Sequence, residues 1–368
     1  AADAPPVPDA GAPDVRVSPH AITVALSAPA MTGRKSGTPG GTRAATYIAN
    51  RFAACGLQPF GDSATRYLHT FKVSPVVHTG VMELAVDPGA PTAHAFTYRK
   101  QWRPARTSPG ATLTGDLFFA GYGLDDAQHD DFKGVDVTGK VVLVLSGCPS
   151  TVSTGCEDVP KITRAHKAKA RALILITDND SQVDMWGGVQ GTNLLPIPAA
   201  VIKGAPGEKL LPPGQTVAAL QAKLEGGPQS FDVKRTVRMV LARKVLPNAD
   251  AYNVLGVIRA QPPSSEYVVA GAHYDHLGYD EPPASYFPGA LDNASGTAVV
   301  VDAACRSAAR GAPRKRNLVF AAWGAEEDGL IGSRRWLDSA LIDASSITTS
   351  FNLDMVGGKG GGAVNLAM

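Results

Sequence analysis

Along this chain the apolar positions keep changing their period. In GTPGGTRAATYIANRFAACGLQP, residues Ala45, Ile48, Phe52 and Cys55 follow the i, i+3/i+4, i+7 spacing of one helical face, Thr42 can cap the helix, and Gly56 suits the position past its end. Residues from roughly 65 to 110 read as β-rich connecting chain. From about Thr112 short runs follow one another: LTGDLFFAGYG and GKVVLVLSG as strands, KITRAHKAKARA as a helix, then LILIT and IPAAVI as strands. This texture ends near Arg243. From Asn253 onward, NVLGVIRA and EYVVAGAH are apolar runs joined by a Pro-rich turn, which predicts an antiparallel pair. GTAVVVDAACRSAAR is a helix whose apolar face carries Ala298, Val301 and Cys305; NLVFAAWG is a buried strand, DGLIGSRRWLDSAL a helix, and TSFNLDMVG a further buried strand. The pattern predicts an α/β fold, a mixed central sheet flanked by helices with its working groups on loops at strand ends. The predicted division is a flexible leader over 1–20, a first part of the α/β domain over 21–111, an inserted β-rich domain over 112–243, and a second part over 244–368.

Composition narrows the partners. With 368 residues, 44% hydrophobic and 18% charged, the chain is an ordinary globular sequence able to bury large cores in two domains. A net charge of +2 and the lack of a basic patch interleaved with aromatics exclude nucleic acid as an expected partner. No apolar run approaches the ~20 residues of a membrane-spanning helix. The Ala/Pro/Asp-rich start, AADAPPVPDAGAPDV, reads as a leader exposed by removal of a signal peptide. Cys148 and Cys156 lie eight positions apart in GCPSTVSTGCED, close enough for a disulfide, whereas Cys55 and Cys305 lie on apolar helical faces and read as buried free thiols. The expectation is a secreted or periplasmic protein. His129 and His166, set among polar residues, read as surface histidines.

Chemistry-bearing residues gather at four strand ends or turns. GAHYDHLG carries His273 and Asp275, ALDNASG carries Asp292, WGAEEDGLIGS carries Glu326 and Glu327, and FNLDMVG carries Asp354. If these ends meet on one rim of a sheet, three or more carboxylates beside one imidazole repel strongly unless a cation joins them. Mixed imidazole and carboxylate donors suit zinc, one carboxylate can bridge two ions, and such a pair activates a shared water. Adjacent glutamates point in different directions, so one can bind metal while its neighbour serves as general base. Asp275, two residues after His273, is placed to orient the imidazole. His276 reads as a loop histidine beside Gly278.

These four motifs, with the opening SAPAMTGRKSGTPGGTRAATYIANRF, resemble the co-catalytic di-zinc aminopeptidases, the family of bacterial leucyl-type aminopeptidases and glutamate carboxypeptidases. The segment 112–243, with AGYGLDD and GVDVTGKVVLVL, resembles a protease-associated domain inserted in such enzymes. The resemblance implies a zinc-dependent exopeptidase acting on the N-terminal residues of peptides. It assigns His273 and Asp354 to one zinc, Asp292 as the bridging carboxylate, Glu327 to the second zinc, Glu326 as general base and Asp275 as orienting acid. It also implies a cis peptide bond after Asp292.

The chain departs from the family in one respect. The second zinc of the family takes a further histidine well downstream of the NLDMVG strand, but the last histidine here is His276, and the sequence stops 14 positions after Asp354. The expectation is therefore a chain that lacks a C-terminal segment, with one or two zinc ions and a weaker second site. The competing readings are a catalytically incomplete member of the fold acting as a binding or scaffold protein, or an enzyme of glutamate carboxypeptidase or glutaminyl cyclase type.

Overall fold

The computed structural model describes residues 17–63, 66–105, 107–127, 129–179, 194–281, 285–357 and 363–367. The leader expected over 1–20 lies outside the described residues as far as position 16. The chain divides into two units: one takes the sequence up to Val73 with Asn248–Gly278 and Tyr286 onward, the other Ser74–Pro247 with Tyr279–Ser285. The second unit thus begins upstream of position 112, because Glu83–Val86 and Trp102–Pro104, in the stretch read as connecting chain, hydrogen-bond into its sheet.

In the first unit, α1 (Pro19–Ser27) is capped by Ser18, whose side chain accepts from Ala21 N, and α2 (Pro39–Ala54) by Thr38, whose side chain accepts from Gly41 N. Each helix opens on proline, which has no N–H to leave unsatisfied there. Thr42, the cap expected from sequence, sits inside the first turn and donates to Thr38 O at 3.3 Å. Gly56 follows α2 with φ +76°, the left-handed conformation expected past a helix end.

The sheet of this unit contains β1 (Gln58–Pro59), β2 (Leu68–Val73), β3 (Ala249–Ile258), β4 (Tyr267–His273), β5 (Asn317–Trp323), β6 (Ile347–Asp354) and β7 (Ala363–Ala367). Their order is β1-β3-β5-β4-β6-β7, with β2 also on β3. The expected pairing of β3 with β4 is not made. β5 lies between them, antiparallel to β3 and parallel to β4. The reason is the crossover through α3 (Gly296–Ala309): a strand reached through a helix returns parallel beside its predecessor. β6 is parallel to β4 on the other side, so β4, β5 and β6 all point their carboxyl ends the same way.

Alternation along β5 shows how both faces are filled. Phe320 and Ala322 join Leu26, Ile48, Phe52, Ala298 and Val301 on one face, while Val319, Ala321 and Trp323 pack with Val257, Val269 and Trp336 on the other. α4 (Ile331–Leu337) is shorter than the helix read from DGLIGSRRWLDSAL. β6, expected to be buried, is half-buried instead, with Phe351 37% exposed, because the helices pack mainly over β3, β4 and β5. Cys55 and Cys305 are not free thiols: they form a disulfide between the end of α2 and α3, with Cα atoms 4.9 Å apart.

The second unit holds an eight-stranded sheet whose central strands Ala111–Ala120, Val141–Leu145, Ala172–Thr177 and Ala199–Lys203 are mutually parallel. The near-continuous apolar sequence of the last three is that of strands covered on both faces. Cys148 and Cys156 form the expected disulfide, just ahead of the helix Asp158–Lys167. His166 is exposed, but His129 is 3% exposed with Nε2 3.1 Å from Asp131 Oδ1, so its polar sequence surroundings misrepresent it.

Candidate metal centre

The parallel run of β4, β5 and β6 brings three chain segments to one rim. His273 is the last residue of β4, Asp354 the last of β6, and the Glu326–Glu327 turn follows β5. Asp292 comes from the segment that leads into α3, and its peptide bond to Asn293 is cis. The buried Asn293 fixes that segment: Nδ2 donates to Leu353 O at 2.8 Å, while Oδ1 accepts from Gly296 N at 3.0 Å and Met355 N at 3.2 Å. Asp292 and Asp354 are thereby tied to one another through backbone on either side.

His273 is 2% exposed and its carbonyl accepts from Thr297 Oγ1 at 2.7 Å. Its Nδ1 lies 3.3 Å from the Asp275 carbonyl, and its Nε2 faces Asp292 Oδ1 at 3.2 Å, Asp354 Oδ1 at 3.4 Å and Glu326 Oε2 at 3.7 Å. One ring nitrogen cannot satisfy three carboxylates. Burial alone would lower the imidazole pKa, but Asp292 and Asp354 outweigh it and hold the ring at about 11. Asp354 Oδ1 is buried without a hydrogen bond. Such a group is rarely left so unless an ion meets it.

Asp275 is 1% exposed. Its Oδ1 lies 3.8 Å from His273 Nδ1 and accepts the N–H of Glu326 at 3.1 Å, so it steadies the glutamate turn as well as facing the imidazole. Burial, reinforced by Glu327 and Asp328 against the pull of His273, raises its pKa to about 7. Burial also raises that of Glu326, helped by Glu327, Asp354 and Asp292 and opposed by His273. The turn itself is held by buried Asn253, whose Oδ1 accepts from Gly324 N at 3.1 Å and whose Nδ2 donates to Gly332 O at 2.8 Å. Ala325, just before the paired glutamates, adopts φ +53°, an uncommon conformation for a residue with a Cβ.

The structure adds a residue that the sequence read as a loop histidine. His276 Nδ1 lies 2.6 Å from Glu327 Oε1, and the ring is met edge-on by Phe287. Among the described residues the donor atoms form two overlapping groups, His273–Asp292–Asp354 and His276–Asp292–Glu327, each with all atoms within 4.8 Å of one another. One imidazole and two carboxylates fit a borderline divalent transition metal, and Asp292 is common to both groups. The residues present therefore fit the ions that the resemblance implies.

Comparison with known proteins bears on the family and the fold. Residues 253–365 match the model described as Peptidase family M28, and residues 113–210 that of the PA domain. The chain is 29% identical over 249 residues to Aminopeptidase YwaD of Bacillus subtilis (strain 168), covering 67% of this chain and 44% of that protein. It is 30% identical over 255 residues to the Probable lipoprotein aminopeptidase LpqL of Mycobacterium tuberculosis, covering 68% and 43%. The match thus spans less than half the length of either relative. Among solved structures, an aminopeptidase from Aneurinibacillus sp. strain AM-1 aligns with TM-score 0.61 and 23% identity, over 93% of this chain and 70% of that one. BSAP, a zinc aminopeptidase from Bacillus subtilis, aligns with TM-score 0.62 and 24% identity, over 94% and 71%. At that identity the two structures show a shared fold. Residues 253–365 thus carry the match to peptidase family M28, and residues 113–210 that to the PA domain.

Proposed function

We propose that this protein is a zinc exopeptidase that removes N-terminal residues from peptides, with two ions held by donor groups that share Asp292. The carrying observation is the pair of overlapping ligand groups with Glu326 beside them. His273, Asp292 and Asp354 would hold one ion, and His276, Asp292 and Glu327 the other. Zinc in such a place supplies a Lewis acid for the scissile carbonyl and lowers the pKa of water. The chain supplies the proton transfers. Glu326 is half-buried, so its carboxylate is more basic than one in water, and Oε2 can take the proton of the attacking water and return it to the leaving nitrogen. Asp275 holds Glu326 through its backbone N–H, which fixes the base without consuming its side chain. The aminopeptidase names of YwaD and LpqL favour the N-terminal direction of attack. Two disulfides, with the lipoprotein name of one relative, favour a secreted or periplasmic location.

The test is metal analysis with paired substrates. Purified protein is expected to bind up to two equivalents of zinc and to cleave a leucine anilide with a free α-amine but not its N-acetyl form. A chelator should abolish cleavage and zinc should restore it. Folded protein that binds no transition metal would sink the proposal.

A further inference from the structure

The tripeptide Arg34-Lys35-Ser36, part of the opening TGRKSGTPGG, takes no part in the chemistry above, yet its members are 0%, 2% and 1% exposed. Arginine and lysine are almost never fully buried without a reason. Arg34 Nε donates to Tyr274 O at 2.7 Å, Nη1 to Leu26 O at 2.7 Å and Pro288 O at 2.6 Å, and Nη2 to Gly289 O at 2.8 Å. Among the described residues its acceptors are thus backbone carbonyls, from the end of α1, from the residue after His273, and from the segment that leads to Asp292. Lys35 Nζ meets Asp328 Oδ1 at 3.1 Å, one residue past Glu327, and both side chains are buried. Ser36 Oγ accepts the N–H of Ala325 at 2.7 Å, one residue before Glu326.

The backbone that delivers these side chains is itself unusual. Thr32, Gly33 and Arg34 have φ of +47°, +72° and +49°, three left-handed residues in succession. Non-glycine residues keep that conformation only where their surroundings over-determine it, and such strain collects at functional sites. Gly33 is required by contact as well: its carbonyl accepts from Gly278 N at 3.0 Å, and a Cβ on it would stand 2.4 Å from Gly278 O. Gly278 is two residues past His276, so this contact anchors the segment that carries His276.

We propose that Arg34, Lys35 and Ser36 are positioning residues: one buried tripeptide, delivered by the left-handed run Thr32–Arg34, fixes the spacing between the His276–Asp292 segment and the Glu326–Glu327 turn, and so assembles the second ligand group before metal arrives. The proposal rests on the metal-site reading above. A guanidinium is needed because only its planar fork reaches three segments at once; an ammonium keeps the charge and loses the span.

Cobalt(II) titration, followed by visible absorption, tests this on the full chain as parent, Arg34→Lys and Ser36→Ala. The parent is expected to take two equivalents. In Arg34→Lys the second equivalent should bind about 10- to 100-fold more weakly, the range typical when a partner that orients ligands is lost, while the first changes little. Ser36→Ala removes one oxygen and should weaken the second equivalent in the same direction; it decides the matter should Arg34→Lys not fold. Folded variants that take both equivalents with parental affinity overturn the proposal, and so does equal weakening of both, the result of general loosening. A parent that binds no cobalt removes the metal-site reading itself.

Discussion

Glu326 and Glu327 are neighbours in sequence and opposites in circumstance. Glu326 is half-buried with Oε2 toward His273; Glu327 is 5% exposed and hydrogen-bonded to His276. Glu326→Gln should therefore keep both metals and lose hydrolysis by ~10²- to 10⁴-fold or more, because an amide cannot accept the proton. Glu327→Gln should instead lose affinity at the second ligand group and recover part of its activity in excess zinc. Zinc content and activity, measured with and without added zinc, separate the two; identical behaviour would mean that the roles are misassigned. The paired glutamates, Asp292, His273 and Asp354 were legible because residues of those types at successive strand ends have few other uses. His276 and Asn293 were not. Each lies in irregular chain, where no period sets the direction of a side chain; His276 is aimed by the contact of Gly278 with Gly33, some 240 positions away in sequence, and Asn293 by its bonds to both sides of Asp354.

Elements were read from their period, and most strands and helices after Thr112 fall where that period puts them. What the period does not carry is who pairs with whom. β3 and β4 are joined by a short turn, yet β5 separates them, because the crossover through α3 decides the neighbour. Nor does a helical face distinguish a thiol from half of a bridge, as Cys55 and Cys305 demonstrate. Lys161 gives an element-scale prediction. It lies in the helix Asp158–Lys167, fully buried, with Nζ donating to Leu145 O and Gly147 O and standing 5.4 Å from the centre of the Tyr122 ring. Burial lowers its pKa to about 8, against the opposing pull of Asp158 and Asp131. Above that pH the folded state sheds a proton that the unfolded chain keeps until near 10.5, so unfolding takes up a proton and stability rises with pH across this window. Relative to Lys161→Met, the parent should gain at most about 3 kcal/mol between pH 7 and pH 10, read from urea midpoints. A difference that stays flat with pH would show that the ammonium is not desolvated as described.

At the scale of the whole molecule, the chain leaves the first unit after Val73, forms the second, and returns at Asn248. The Cys55–Cys305 bridge, 250 positions apart, has both of its ends in the first unit and the whole of the second between them in sequence. The bridge therefore makes a covalent ring that contains every crossing of the chain between the two units. A protease that cuts once anywhere between the two cysteines opens the ring without releasing a piece. Limited proteolysis of exposed segments in that interval should leave one band on a gel run without reductant and two when the sample is reduced. Separate fragments in the absence of reductant would show that the bridge is not formed in the isolated protein. With it formed, the second unit can be nicked and the ligands of the metal centre still remain parts of a single covalent molecule, so that a proteolytic cut is recorded as a scar rather than as a loss.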